Sequence, residues 1–261
     1  MSKSLFEVVI LRLLLALGFL TRIPIPLTSS REERSLSSLL PFFPIVGIII
    51  GLIYHFCTLI LDLILPGKIV AFIIVILTVY ITGGLHLDGL SDTFDGYFSG
   101  KSGDKMIAIM RDSTIGVYGA FSIWFILFGK WIFLYTIVIS ENLEVLALFP
   151  FVGRLILYQV VKSYPYPSGV KGLGEKMKEE SSENSFMIVL ITLIIMLIST
   201  YFYLDMILVI ILSLLITGVL VNLFVRKISY KLNGVTGDVY GASCELSELL
   251  FMFFLIVGWG M

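Results

Sequence analysis

The chain has 261 residues, of which 58% are hydrophobic and 14% charged, with a net charge of −1. Its mean hydropathy is +1.02. Soluble domains carry about 25% charged residues, so this composition excludes a water-coated globule and a disordered chain, and the lack of a basic surface excludes a nucleic-acid binder.

What remains is a polytopic membrane protein. Only Cys57 and Cys244 are present, neither in a C-x-x-C pair, so no disulfide framework or thiolate zinc site is expected. The apolar stretch 5–20 comes first. It carries Glu7 and Arg12 and runs into Pro24 and Pro26. A charge at the bilayer centre is costly, so residues 1–36 are read as an N-terminal interfacial segment whose helix lies on the membrane. No small-residue cleavage site follows, which argues against a signal peptide. Crossing about 30 Å of hydrocarbon takes roughly 20 apolar residues. Runs near 39–64, 69–85, 114–139, 143–161, 186–204, 206–225 and 246–260 answer to that length, the second and last being short. They are continuous rather than alternating, and backbone in lipid must bond within its own segment, so they predict helices and not strands. The expected fold is all-α: a transmembrane bundle of about seven spans in a single integral-membrane domain, 1–261.

Seven spans place segments 1–36, 86–112, 162–184 and 226–245 on one face. That face holds 15 of the 18 Lys and Arg residues, and the other face holds only Lys68. The asymmetry marks the basic face as cytoplasmic and the chain as a protein of the cell membrane. Loop 162–184, with Pro165, Pro167, Gly169, Gly172 and Gly174, reads as a flexible cover or linker. Its Lys and Glu run from 175 to 183 reads as a solvated helix end. Within the spans, His55 reads as structural, and Arg154, if buried, needs an acidic or carbonyl partner.

The basic face also carries the motifs. Asp88, Asp92 and Asp95 recur at i, i+4 and i+7, which puts them on one side of a helix. Three carboxylates in a row repel one another, and a divalent cation would remove that penalty. Mg²⁺ takes oxygen ligands and is commonly held by a few carboxylates together with substrate phosphates. Gly83, Gly84, Gly89 and Gly96 beside them allow backbone or substrate to come close. Arg111, Lys101 and Lys105 are candidate phosphate contacts. Asp112 either completes the metal set or pairs with Arg111. His86 is a candidate base or substrate contact. Farther on, Asn233 to Glu245 places three glycines around Asp238, and Asp238 and Glu245 could reach a metal or a hydroxyl.

Four stretches in order along nearly the whole chain resemble the cobalamin synthase family, the adenosylcobinamide-GDP ribazoletransferases. They are Phe19-Leu20-Thr21-Arg22-Ile23-Pro24, then Gly83 to Gly96 with His86, Asp88, Asp92 and Asp95, then Ile109-Met110-Arg111-Asp112-Ser113 through Gly119, then Gly237-Asp238-x-Tyr240-Gly241-Ala242. The resemblance implies an integral-membrane, Mg²⁺-dependent enzyme. It would join adenosylcobinamide-GDP to α-ribazole or its 5'-phosphate and release GMP, late in cobalamin biosynthesis. Phosphoryl transfer depends chiefly on alignment and charge neutralisation. On that reading Asp88, Asp92 and Asp95 hold the metal, with Asp112 a further ligand. Either His86 or one of the carboxylates takes the hydroxyl proton. Arg111, Lys101 and Lys105 bind phosphate, Arg22 lies in the substrate site, and Asp238 lines the pocket from the other side. A homo-oligomer is left open.

Three alternatives share parts of the pattern. CDP-alcohol phosphotransferases open their motif D-x-x-D-G, as Asp92, Asp95 and Gly96 do, but require Ala-Arg two residues later, where Tyr97-Phe98-Ser99-Gly100 stands. A membrane prenyltransferase would show a second Asp-rich motif, and only Asp238 is present. An ion-coupled transporter would carry its charges near the midplane on broken helices, whereas these carboxylates sit at span ends.

Overall fold

The computed structural model describes residues 4–25, 35–178, 187–194 and 207–260, and every described element is helical. Helix α1 (Leu5–Leu20) opens on a capping box: the Ser4 hydroxyl accepts from the Glu7 N–H and the Glu7 carboxylate accepts from the Ser4 N–H at 2.8 Å. Glu7 therefore serves the helix end, where a negative charge is favourable. Leu15, Ala16 and Leu20 turn inward while Phe6, Ile10 and Leu14 stay exposed. Beyond the helix, the Arg22 N–H donates to the Ile81 carbonyl at 2.7 Å.

Helix α2 (Leu36–Leu39) and a 3-10 turn (Leu40–Phe42) lead into α3 (Phe43–Asp62). Helix α4 (Gly67–Thr82) ends at Gly83 and Gly84, both left-handed with φ of 64° and 71°, a conformation that glycine adopts without penalty. The chain then turns by 90° into α5 (Leu85–Phe98). Short α6 (Asp104–Met110) precedes α7 (Val117–Ile139). A 3-10 turn (Leu143–Ala147) enters α8 (Leu148–Ser163), followed by α9 (Leu173–Lys178). The described part of α10 covers 187–194, and α11 (Ile207–Leu232) and α12 (Gly237–Trp259) complete the bundle.

Among the described residues, five helical stretches (Leu36–Asp62, Val117–Ile139, Leu143–Ser163, Ile207–Leu232 and Gly237–Trp259) are long and apolar enough to cross a membrane, six if the bent pair α4 and α5 counts as one span. The expected run 186–204 falls mostly outside the described residues. The other runs are helical with shifted ends. The largest shift is in α12, which begins at Gly237 and not near 246, so the expected segment 226–245 contracts to a link of four residues, 233–236. Helix α12 packs against α5, α7, α8 and α11. Helix α8 lies deep, with 78% of its most apolar stretch buried against 22% for α11. The outer faces of α7 and α11 carry exposed Trp124, Phe125, Leu215 and Val219, the surface that lipid requires.

Candidate active site

The site forms where α5 crosses α12. A Cβ on Gly89 would lie 2.7 Å from the Asp238 carbonyl oxygen and 2.9 Å from its Cα, and one on Gly241 would lie 3.1 Å from the Cα of His86. Only glycine lets two backbones come this close. The approach sets Asp88 and Asp92 beside Asp238. Asp92 lies within electrostatic reach of Asp88, Asp238 and Asp95, and Asp238 within reach of Asp88 and Arg111. The Asp238 carboxylate also accepts from the Thr236 hydroxyl at 3.2 Å.

These groups border a cavity of about 520 Å³. Its lining combines polar side chains, among them His86, Asp88, Asp92, Arg111, Asp112 and Asp238, with apolar ones, among them Phe19, Leu20, Phe43, Ile107 and Leu157. Tyr166, Val170 and Lys171 cover it from the segment between α8 and α9. Arg111 ties that segment down by donating to the Lys171 carbonyl at 2.7 Å. Burial raises the pKa of the Tyr166 hydroxyl, and nearby Asp238 adds to the effect. Asp112 accepts from the Thr114 N–H at 2.9 Å and from its hydroxyl at 2.7 Å, and these bonds lower its pKa. It is therefore engaged with its own loop and not with Arg111.

The acidic triplet is not a ready-made metal cage. Asp95 does not line the cavity: its two oxygens accept from the N–H groups of Gly116 at 2.7 Å and Gly119 at 2.8 Å. It caps the start of α7, where free amides favour a carboxylate. Among the described residues, no group of three or more His, Cys, Asp and Glu side chains could hold a metal ion unaided. Lys101 and Lys105 are exposed and do not border this cavity. Arg22 borders an adjoining one of about 630 Å³, which shares Phe19, Leu85, Asp88 and Ile123 with the first.

Two features escape the sequence. Beneath the site lies a buried ion-pair quartet. Lys130 donates to Glu245 at 2.7 Å and to Glu248 at 2.5 Å, and Arg154 donates to Glu248. Glu245 is thus a partner of Lys130 and not a cavity ligand. The available signal was two cations inside apolar runs and two glutamates three residues apart on a third. His55 instead contacts the Leu143 carbonyl at 2.9 Å. The second feature is Tyr240, which borders the cavity, is 2% exposed, and leaves its hydroxyl without a hydrogen-bond partner. His86 is 4% exposed and its Nδ1 is likewise unpartnered.

A family model described as "Cobalamin-5-phosphate synthase" matches residues 12–256. The chain belongs to that family. It is 37% identical over 239 residues to an "Adenosylcobinamide-GDP ribazoletransferase" of Thermoanaerobacter pseudethanolicus, covering 91% of this chain and 94% of that one. It is 35% identical over 249 residues to the protein of the same name from Clostridioides difficile, covering 94% and 96%. No solved structure matches the chain. As a member of this family the chain is an enzyme, an adenosylcobinamide-GDP ribazoletransferase of the bilayer, as its motifs indicate.

Proposed function

We propose that the cavity at the α5–α12 crossing carries out this transfer, moving the adenosylcobinamide phosphate group from adenosylcobinamide-GDP to α-ribazole or its 5'-phosphate. The observation that carries the reading is the convergence of Asp88, Asp92 and Asp238 on one cavity that Arg111 and apolar side chains also line. A cavity of about 520 Å³ suits a nucleotide-sized body, so the guanosine diphosphate end enters and the corrin ring stays at the mouth.

Mg²⁺ usually keeps one or two carboxylates and completes its shell with water and substrate phosphates. With Asp238 beside them adding negative charge, Asp88 and Asp92, one turn apart, offer that donor set and would hold the ion. When bound it neutralises charge on the diphosphate. Arg111 supplies a fixed cation at the same wall, suited to a phosphoryl oxygen. The acceptor hydroxyl attacks the phosphorus on the cobinamide side and forms the new P–O bond. The bond to the GMP oxygen breaks, and GMP leaves with the electron pair. The hydroxyl proton passes to a group that borders the cavity, either His86, whose Nδ1 has no protein partner, or one of the carboxylates. The tethered Tyr166–Lys171 segment covers the cavity and limits water, the competing acceptor. The concentration of Lys and Arg in segments 1–36, 86–112, 162–184 and 226–245 supports a cytoplasmic opening.

The test is GMP release by purified protein given adenosylcobinamide-GDP and α-ribazole, with and without Mg²⁺. We expect release with both substrates and the ion together. Absence of GMP under those conditions would defeat the reading.

A further inference from the structure

A transfer between two substrates needs two binding volumes that meet at the reacting groups. The structure has two cavities that share a wall. The second, an open concavity of about 630 Å³, is bordered by Thr21, Arg22, Gly83, Gly84, Leu87 and Leu127, and meets the first at Asp88. Its lining mixes apolar side chains with Thr21, Thr82 and Asp88, and Arg22, which is exposed, is its sole cation. Among the described residues the Arg22 guanidinium has no ion-pair or hydrogen-bond partner, although its backbone N–H is fixed to Ile81. The side chain lies directly over Gly83: a Cβ there would clash with the Arg22 Nε. The absence of a side chain at 83 thus makes room for the guanidinium at the cavity wall. The first turn of α5, which starts at this point, has no side-chain cap.

We infer that this second cavity is the acceptor subsite, and that Arg22 holds the 5'-phosphate of α-ribazole 5'-phosphate. The inference rests on the transfer reading above and adds to it a division of labour. Arg111 serves the donor diphosphate in one cavity, Arg22 serves the acceptor phosphate in the other, and Asp88 stands at the junction. An exposed guanidinium at the rim of a concavity, with no protein partner to displace, recognises a phosphate by paired, charge-assisted hydrogen bonds. A neutral base and ribose suit the remaining apolar wall. Entry from two sides also separates the attacking oxygen from the leaving one, as an in-line displacement requires.

The acceptor exists with and without the phosphate, which gives an internal control. Steady-state GMP release is measured with saturating adenosylcobinamide-GDP and either α-ribazole or α-ribazole 5'-phosphate. The unaltered protein is expected to have a KM for the phosphorylated acceptor roughly 10- to 100-fold below that for the other. Arg22→Gln should abolish this ratio by raising only the KM for the phosphorylated acceptor, leaving the KM values for α-ribazole and for the donor unchanged. Arg22→Lys, which keeps the charge without the fork, should give an intermediate ratio, and it decides the matter if Arg22→Gln turns over neither acceptor. The inference is overturned if the unaltered protein does not distinguish the two acceptors. It is equally overturned if the variants raise both acceptor KM values alike, or only that of the donor. Lack of GMP release by the unaltered protein with either acceptor would strike instead at the transfer reading.

Discussion

Gly89→Ala places one methyl group where α5 meets α12. The new Cβ would stand 2.9 Å from the Asp238 Cα and 2.7 Å from its carbonyl oxygen, while carbon atoms rest at about 3.5 Å or more. Both obstructing atoms are backbone, so no rotamer change relieves the clash, and the helices must part by about 0.6 Å or more. Overpacking of this kind costs about 1–3 kcal/mol, which leaves the protein folded. The same shift separates Asp238 from Asp88 and Asp92, and a displacement approaching 1 Å at reacting groups costs about 100-fold in rate. We therefore expect kcat/KM to fall by about 10- to 100-fold in the GMP-release assay, with a modest drop in Tm in detergent. Gly218→Ala on α11 makes the same chemical change at a helical position with no atom within 4 Å of the new Cβ, and should retain activity and stability. Wild-type turnover in Gly89→Ala, or an equal loss in Gly218→Ala, would refute the claim that this crossing sets the site.

Asp92→Asn, similar in size but uncharged, should lower turnover by about 100-fold or more; near-normal rates across a Mg²⁺ titration would remove Asp92 from the ion's ligands. Glu248→Gln leaves Lys130 and Arg154 with Glu245 as their only carboxylate, and an uncompensated buried charge costs about 3–5 kcal/mol, so thermal unfolding in detergent should show a larger loss than for Gly89→Ala. Tyr240→Phe removes a buried hydroxyl that has no partner and should leave Tm unchanged or higher; a clear loss of stability would count against that description. A cysteine at Ser99 should react with an impermeant thiol reagent only from the cytoplasmic side, and labelling from outside would reverse the orientation.

The apolar helices were legible because a run of 20 residues without charge has few other uses. The start of α12 was not. Asp238, Glu245 and Glu248 break the hydropathy of its first half, and the two glutamates are satisfied only by residues far away in sequence, Lys130 and Arg154. The bend after α4 left a trace in Gly83-Gly84, but two glycines show permission to turn and not the angle. The acidic motif was read as helical, and α5 is helical. Which carboxylates face the cavity was beyond the spacing rule, which sees one helix and not its neighbours. Asp88 and Asp92 line the cavity, while the amides that open α7 claim Asp95. Asp238 was a candidate contact on its glycine-flanked segment, but no spacing rule places it beside Asp88, because 150 residues separate the two.

The quartet of buried charges has a bearing on how the protein is made. Lys130 and Arg154 emerge from the ribosome well before their carboxylate partners, which follow 115 and 94 positions later. Until α12 arrives, α7 and α8 each carry a cation that hydrocarbon rejects. The arrival of α12 neutralises both charges at once, so loss of either glutamate should lower the yield of correctly assembled protein in the membrane.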